Sequence, residues 1–389
     1  RGKLNETLMA MIRANTRLPI DTEGDVYSLA ACNDVGCQRL SEMMEEFGLK
    51  DLDVLSRHIL TRSKAAVLDA IAALPQGRWS NTMVVDGYDE PVTLSCTVDV
   101  SKKGIHVDYS GTGPASRRGI NVPLAYTTAY TVFGLACIVG KDIPNNAGSL
   151  APLTVSAPED TIVNALKPKP VASRHIIGQM LPDVVFGAIR QAIPDRVPAE
   201  GTSCLWNLNV RGQTDEEGLG NYGFMMAVTS NGGTGARPMK DGLSATAYPS
   251  GVKGTPVEIA ESITPLIFWR KEFREDSGGA GKTRGGLGQV IEVGSRIGRP
   301  FDLLAAYDRI DHPPRGRDGG RDGAAGAVAL KSGKKLKGKG FQLIPPDDRL
   351  VVMTPGGAGI GDPAKRDPAA LARDLAEGLV TKAGAKAYK

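Results

Sequence analysis

Two glycine-rich segments of this chain combine closely spaced glycines with charged side chains. The first glycine segment, residues 231–242, reads NGGTGARPMKDG, and the second, residues 276–288, reads DSGGAGKTRGGLG. Glycine lets backbone N–H groups approach a ligand closely, so the first segment predicts a site for an oxyanion or an imide carbonyl. Arg237 is its charged donor, and Asp241 is the candidate catalytic residue that orients a ring nitrogen or a water. The other predicted binding positions are Asn231, Gly232, Gly233 and Gly235.

Each glycine segment also has a purely architectural interpretation. In the first, Arg237 and Asp241 form a pair that only holds the loop in place. In the second, the glycines allow strands to cross closely, while Asp276, Lys282 and Arg284 face a partner subunit. We expect the architectural role for the second segment and leave both roles open for the first.

A third candidate is the dipeptide Arg174-His175, which is predicted to lie at the start of a helix. Free N–H groups and the positive end of the helix dipole favour an anion there, and Arg174 adds a planar donor. His175 is a candidate catalytic residue because an imidazole transfers protons near neutral pH. The alternative is that His175 only caps the helix or packs at an interface. Asp183, farther along the same helix, is expected to be structural.

The sequence does not match a known nucleotide-binding loop, and neither Ser110 nor Cys204 has the surroundings of a catalytic nucleophile. A P-loop requires a glycine five positions before Gly281, and Asp276 stands there; no strand-to-helix transition frames either glycine segment. Ser110 lacks a histidine placed to activate it and a Gly-x-Ser-x-Gly context. Cys204 is expected to be a small buried thiol.

Composition restricts the partners of the chain. Its 47 lysines and arginines nearly balance 43 aspartates and glutamates, so net charge predicts neither a nucleic-acid partner nor an anionic membrane. The five cysteines form no Cys-x-x-Cys pair, and no apolar run approaches the roughly 18–20 residues of a membrane span. We therefore expect a cytoplasmic protein with reduced cysteines.

Hydrophobic periodicity places these candidates on a mixed framework. Apolar residues spaced by three and four predict helices, and short β-rich runs between Gly- and Pro-containing turns predict strands. The predicted helices span residues 34–47 and 54–74, which form an antiparallel hairpin, and residues 126–139, 176–193 and 367–378. Pro182 is expected to start or kink the fourth of them. Predicted strands span residues 82–85, 92–100 and 105–109, and further strands and turns fill residues 206–228, 255–293 and 302–352.

This order of elements predicts the α+β class, with an N-terminal helical hairpin, mixed sheets with buried helices, and a β-rich C-terminal half. Four regions are expected. They are a helical hairpin (residues 1–77), an α+β region (78–200), a β-rich region holding the glycine segments (201–363) and a C-terminal helix (364–389).

Several short motifs together resemble the hydantoinase B/oxoprolinase family from end to end. They are VDYSGTG at 107–113, NVPL at 121–124, TPVE at 255–258, DSGGAG at 276–281 with RGGLG at 284–288, and TPGG at 354–357 with GDP at 361–363. The family includes one subunit type of ATP-dependent hydantoin, oxoproline and lactam hydrolases, and its relatives include ketone carboxylases that act on acetophenone.

The resemblance also bears on metals. Residues 12–19 look like the middle of the family's sequence, and the part that usually precedes them carries His-x-x-Asp and other histidines associated with a metal in several relatives. None of the four histidines here is followed by aspartate three positions later. We expect no metal site built wholly from this chain, and a divalent metal, if the assembly has one, on residues outside it.

The resemblance implies a subunit of an ATP-dependent cyclic amide hydrolase in a hetero-oligomer. Because this chain lacks a phosphate-binding signature, ATP and Mg²⁺ are expected on an A-type partner. Two alternatives stay open. One is a subunit of an ATP-dependent ketone carboxylase of the acetophenone or acetone type, and the other is a non-catalytic scaffold subunit.

Overall fold

The computed structural model describes residues 3–16, 18–213 and 223–389. They belong to two compact units, Arg1–Arg62 and Ser63–Lys389. The predictions that touch Arg17, in the motif at 12–19, and residues 214–222, in the β-rich stretch 206–228, lie outside the described residues. The division of the chain into four regions stays a prediction.

The first unit is helical. It contains α1 (Glu6–Ala14), α2 (Pro19–Glu46) and the first half of α3 (Asp53–Ala72). The helices predicted over 34–47 and 54–74 are confirmed, but α2 begins earlier, where Pro19 occupies the first turn and needs no N–H partner. Helices α1 and α2 pack together, and an ion pair of 2.7 Å between Arg13 and Glu23 links them. No described side chain of α2 is buried.

The second unit begins with a four-stranded sheet in the order β1-β2-β3-β4. The two hairpins are antiparallel, and β4 joins β3 in parallel. Burial alternates along β2, as the period-two pattern predicts for a sheet with one covered face. The predicted strands are therefore confirmed. Their bounds are β1 (Gly77–Val85), β2 (Val92–Ser101), β3 (Gly104–Asp108) and β4 (Leu153–Ser156).

Two apolar helices, α4 and α7, pack on each other, and α7 covers β1 and β2. The helix predicted over 126–139 is confirmed as α4. The single helix predicted over 176–193 is wrong, because the chain forms α6 and α7 separately. Pro182 has no N–H to bond the carbonyl of Gly178, so it stands in the first turn of α7. The helices of this region are α4 (Leu124–Val139), α5 (Ala147–Leu150), α6 (His175–Gly178) and α7 (Leu181–Ile189).

Two further antiparallel sheets, in the orders β10-β12-β8-β7 and β11-β9-β5-β6, form the β-rich half. The expectation of only strands and turns over 255–293 is wrong, since Pro256 precedes a short helix, α8. The C-terminal helix α9 is confirmed and capped by Asp367. The bounds are β5 (Leu208–Gly212), β6 (Phe224–Val228), α8 (Val257–Ile263), β7 (Leu266–Phe273), β8 (Gln289–Ser295), β9 (Phe301–Ala306), β10 (Ala327–Leu330), β11 (Lys339–Ile344), β12 (Leu350–Met353) and α9 (Pro368–Ala376).

The α+β class is thus confirmed. None of the helices in residues 3–16, 18–213 and 223–389 combines the length and hydropathy needed to cross a bilayer.

Four glycine segments form a shared core outside these sheets. They are the first and second segments, a third at residues 316–323 and a fourth at residues 354–361. Their backbones bond to one another: Gly286 N–H donates to Thr234 (2.9 Å), Gly357 to Gly286 (2.9 Å), and Gly279 to Gly357 (2.8 Å). The third segment joins where Gly359 N–H donates to Arg321 (2.9 Å). Backbone-to-backbone hydrogen bonds thus hold the four segments together.

The segments approach so closely that a side chain would not fit. A Cβ atom on Gly357 would lie 1.8 Å from the Thr234 carbonyl oxygen, and one on Gly233 would lie 1.9 Å from that of Gly286. These obstacles are hydrogen-bonded backbone atoms, which cannot rotate away as a flexible side chain does. Glycine is therefore required here for close approach.

We predict that Gly357→Ala lowers the free energy of unfolding by about 3 kcal/mol or more, because overpacking must displace hydrogen-bonded backbone. Chemical denaturation monitored by circular dichroism measures the change. Gly254→Ala is the matched control, because that glycine is exposed and the nearest atom to the new Cβ, the Thr229 carbonyl oxygen, would lie 4.0 Å away. Equal, small effects of both substitutions would contradict a backbone-packed core.

Candidate active site

A cavity of about 690 Å³ lies in the second unit beside the first glycine segment. Its walls are mainly apolar and include Phe133, Ile138, Phe186, Leu243, Tyr248 and Pro249. One carboxyl group, that of Asp183, and two guanidinium groups, those of Arg196 and Arg237, share the lining. Ligand sites commonly have this volume and this combination of apolar walls with a few polar groups.

The lining comes from two helices, the first glycine segment and the stretches 196–201 and 243–251. Helix α4 presents Phe133 and Cys137, which are four residues apart and share one face. Helix α7 presents Asp183 and Phe186 on its cavity side, and all nine of its residues are buried. The first glycine segment contributes Gly235 and Arg237. The cavity is therefore formed between buried helices and the glycine core.

Asp183 is 2% exposed and is held by one oxygen. Its Oδ2 accepts hydrogen bonds from Gly201 N–H (3.0 Å) and Ser203 Oγ (2.5 Å), and it lies 3.6 Å from Arg309 Nη2. Within the described part of the chain, both hydrogen bonds to this carboxyl group go to Oδ2, and Oδ1 accepts none. Burial raises the pKa of Asp183 to about 6, although Arg309 opposes the rise. This carboxyl group therefore changes charge near neutral pH.

A buried charge cluster explains why Arg309 does not hold Asp183 fully ionised. Arg309 also lies 3.3 Å from Glu200, and Glu200 accepts further bonds from Arg315 (2.7 Å) and Arg317 (3.2 Å). Burial alone would raise the pKa of Glu200, but Arg309 and Arg315 bring it below its ordinary value. Glu200 thus has three guanidinium partners, whereas Asp183 shares one at a longer distance.

The backbone around Asp183 has unusual geometry. Ser203 and Arg309, which both contact Asp183, have φ values of 60° and 67°. Left-handed conformations of non-glycine residues are unfavourable and cluster at functional sites. Both residues are almost completely buried, so the surrounding packing holds these conformations.

The predicted pair Arg237 and Asp241 interacts through the backbone. The Arg237 guanidinium donates to the Asp241 carbonyl oxygen from Nε (3.2 Å) and Nη2 (2.7 Å). The Asp241 carboxylate instead accepts from Arg366 (2.9 and 2.8 Å) and from Arg284 N–H (2.6 Å). Although burial opposes it, Arg366 lowers the pKa of Asp241 below its usual value. Asp241 lies outside the cavity lining, and its catalytic role stays a prediction.

Two charged side chains of the second glycine segment, Arg284 and Asp276, contact other residues of this chain. Arg284 is buried and pairs with Asp374 at 3.2 Å, so the expectation that it faces a partner subunit is wrong. Asp276 accepts hydrogen bonds from Thr381 N–H (2.8 Å) and Oγ1 (2.6 Å), while Lys282 is exposed. The architectural interpretation fits this geometry.

The remaining predicted binding positions separate into two groups. Gly235 lines the cavity, whereas Asn231, Gly232 and Gly233 lie outside its lining. Gly233 N–H donates to the Pro355 carbonyl at 3.0 Å, and the Gly232 carbonyl accepts from Thr246 N–H at 3.0 Å. These bonds serve the glycine core, and the binding role of the three residues stays a prediction.

Arg174 and His175 also lie outside the cavity lining. Arg174 is exposed, and its guanidinium lies 5.7 Å from the centre of the Tyr126 ring. His175 opens α6, which has only four residues, and burial together with Arg174 lowers the pKa of its imidazole. The structure thus joins Gly235 and Arg237 with Asp183, and leaves the dipeptide apart.

Cys204 and a possible metal site are the remaining candidates for chemistry. Burial raises the pKa of Cys204 to about 12, so its thiol stays protonated at neutral pH. The described residues contain no group of three or more His, Cys, Asp or Glu side chains that could hold a metal ion.

Comparison with known proteins adds a family match. The model of the hydantoinase B/oxoprolinase family matches residues 1–363. An uncharacterised protein of Methanocaldococcus jannaschii is 31% identical over all of this chain and 68% of its own length. The B component of a putative D-/L-hydantoinase from a Pseudomonas species is 29% identical over 98% of this chain and 67% of its own length. The chain thus spans about two thirds of these relatives.

Two solved structures share the fold. The crystal structure of ATP-dependent caprolactamase from Pseudomonas jessenii superposes with a TM-score of 0.85 at 22% identity, covering all of this chain and 69% of that one. Nucleotide-free acetone carboxylase superposes with a TM-score of 0.68 at 18% identity, covering 84% of this chain and 51% of that one.

We predict that Glu200→Gln destabilises the protein by about 3–5 kcal/mol at pH 7, because it leaves buried guanidinium groups without their carboxylate. The folded-state pKa of Glu200 lies below its ordinary value of 4.5, so the carboxylate stabilises the fold above that pH. The difference between wild type and variant should therefore shrink as the pH falls below about 4.5. Urea denaturation across pH 3.5–7.5 measures it.

Asp183→Asn provides a control with the opposite pH trend. In the wild type, the folded-state pKa of the Asp183 carboxyl group is about 6, above the ordinary 3.8. The folded protein therefore binds this proton more tightly than the unfolded chain does. Wild type should lose stability relative to Asp183→Asn as the pH rises from about 4 to about 6. Parallel pH trends for the two variants would contradict the assigned electrostatics.

Proposed function

Because the chain belongs to the hydantoinase B/oxoprolinase family, we propose that it is the B-type subunit of an ATP-dependent enzyme that opens a cyclic amide. The substrate class is a hydantoin, 5-oxoproline or lactam. The observation that carries the proposal is the cavity, which combines apolar walls with Arg237, Gly235 and Asp183.

The cavity suits the two faces of a small cyclic amide. Such a ring has a polar edge, formed by the amide carbonyl and nitrogen, and an apolar remainder. Arg237 provides a charged donor for the carbonyl, and Phe133, Phe186 and Tyr248 provide surface for the carbon atoms of the ring. A volume of about 690 Å³ admits a ring of this size together with water.

The chemistry explains the need for ATP. Resonance makes an unstrained amide a poor electrophile, and phosphorylation of its oxygen creates a leaving group. The glycine segments do not fit a nucleotide, because backbone N–H groups such as those of Gly279, Gly286 and Gly357 already bond to carbonyl oxygens. We therefore place ATP and Mg²⁺ on an A-type partner, which makes the functional enzyme a hetero-oligomer.

Carboxylation of an enolisable ketone is the second candidate. The fold shared with acetone carboxylase supports it, since the same framework would accept an activated carboxyl group instead of a phosphorylated amide. A ketone offers a carbonyl to Arg237 but no ring nitrogen. The two reactions therefore differ in the small molecule that stimulates nucleotide hydrolysis.

The deciding experiment measures ADP release by this chain in complex with its A-type partner. The panel contains hydantoin, 5-oxoproline and ε-caprolactam, compared with acetone and acetophenone plus bicarbonate. We expect a cyclic amide to stimulate ADP release and to be converted to its ring-opened product. Stimulation only by a ketone with bicarbonate would replace the hydrolase by the carboxylase, and no stimulation in an intact complex would favour a scaffold role.

We predict that Arg237→Ala lowers kcat/KM by about 10- to 100-fold, because a charged hydrogen bond to the substrate contributes about 1.5–3 kcal/mol. His175→Ala tests the other predicted catalytic site with the same assay. A large loss with His175→Ala and none with Arg237→Ala would move the active site from the cavity to α6. A scaffold protein would tolerate both substitutions as long as the complex still forms.

A further inference from the structure

We propose that Asp183 is the proton-transfer residue of this reaction, and that Ser203 and Arg309 are its positioning residues. The inference rests on the proposed cyclic amide hydrolysis. The inference assigns a catalytic role to Asp183, which is expected from the sequence to be structural.

The two carboxyl oxygens of Asp183 are used unequally. Oδ2 receives Gly201 N–H and Ser203 Oγ and faces Arg309. Oδ1 has no donor in the described residues, although Asp183 is almost fully buried and lines the cavity. A purely structural buried carboxylate is expected to satisfy both oxygens. One oxygen is fixed, and the other is left for a molecule in the cavity.

The support of this carboxyl group is rigid. Helix α7 is buried throughout, and both Ser203 and Arg309 are held in left-handed backbone conformations that place them against the carboxyl group. Precise orientation of a proton donor or acceptor by such contacts is a general feature of acid–base catalysis. Fixed geometry of this kind is costly for a residue that only fills space.

The surrounding charges suit proton transfer by Asp183. Arg309 and Glu200 act on the charge of Asp183 from outside the cavity lining, and Arg196 and Arg237 line the same cavity. Tyr248 also lines the cavity, and burial together with Asp183 raises the pKa of its phenol, which therefore stays protonated. Among the described residues that line the cavity, Asp183 is the one with a carboxyl group. Its pKa of about 6 lets it take up and release a proton near neutral pH.

Atoms and electrons balance in the proposed step. After the partner-bound ATP has phosphorylated the amide oxygen, the Asp183 carboxylate takes a proton from water while the water oxygen bonds to the amide carbon. When the ring C–N bond breaks, its electron pair remains on nitrogen, and Asp183 donates the proton there. Asp183 returns to its ionised form, while the added hydroxyl loses its proton and its oxygen becomes the carbonyl of an acyl phosphate. A second water then bonds to this carbonyl carbon, the C–O bond to the phosphate breaks, and phosphate leaves with the bridging oxygen. The ring-opened acid, phosphate and the ADP formed in the phosphorylation are the products.

The test uses the complex with the A-type partner and the panel of hydantoin, 5-oxoproline and ε-caprolactam. We expect Asp183→Asn to lower kcat by about 10²- to 10⁴-fold with a smaller change in KM, because a general acid–base is lost and the amide still accepts from Gly201 and Ser203. Asp347→Asn is the matched control, because Asp347 is exposed and remote from the cavity lining.

The pH profile separates catalysis from structure. Wild-type kcat/KM should fall as the pH drops below about 6, because the step begins with the ionised carboxylate. Ser203→Ala removes a hydrogen bond that lowers the pKa of Asp183, so it should move this fall to higher pH. These two profiles also decide the matter if Asp183→Asn does not fold.

Each outcome separates the inference from the proposed function. Activity of Asp183→Asn within threefold of wild type would overturn the role of Asp183 and leave the hydrolase in place. A wild-type profile without ionisation between pH 5 and 7.5 would do the same. If no cyclic amide stimulates the wild-type complex, the proposed function fails, and the inference fails with it.

Discussion

Backbone-to-backbone packing of glycine segments is the constraint on which the second unit depends. Four stretches of chain approach so closely that carbonyl oxygens occupy the space of a Cβ atom. The Thr234 carbonyl oxygen takes that space at Gly357, and the Gly286 carbonyl oxygen takes it at Gly233. Their N–H groups bond across from one segment to another instead of along a conventional sheet. Such packing satisfies buried backbone groups without side chains, and it holds the loops that bond to the core, such as residues 199–203.

The candidate active site is supported by this core. The loop of residues 199–203 bonds to it at both ends: Ala199 N–H donates to Ala236 (2.9 Å), and Thr202 N–H donates to Gly233 (3.0 Å). In the middle, the Glu200 carbonyl accepts from Ala358 N–H (2.9 Å). The same loop holds Asp183 through Gly201 and Ser203. Movement of a glycine segment would therefore displace the carboxyl group in the cavity wall.

Sequence patterns located most of the elements and marked part of the candidate site. Period-two and period-3.6 patterns located the strands and most helices, and the dense glycines marked segment 231–242, whose Gly235 and Arg237 line the cavity. The role proposed for Asp183 had no local signal, because it depends on contacts with Ser203 and Arg309, which are distant in sequence. The left-handed backbone of Ser203 and Arg309 is equally invisible in side-chain type. Asp241 looked suitable for chemistry, but its carboxylate is bound by Arg366 from the C-terminal region.

The most direct test of the proposed site is a crystal structure of the complex with a bound cyclic amide that stimulates ADP release. We predict density for the ring in the cavity, with its carbonyl within hydrogen-bonding distance of Arg237 and its nitrogen facing Asp183. Density for the ring beside Arg174 and His175, or on the A-type partner alone, would contradict the proposed site.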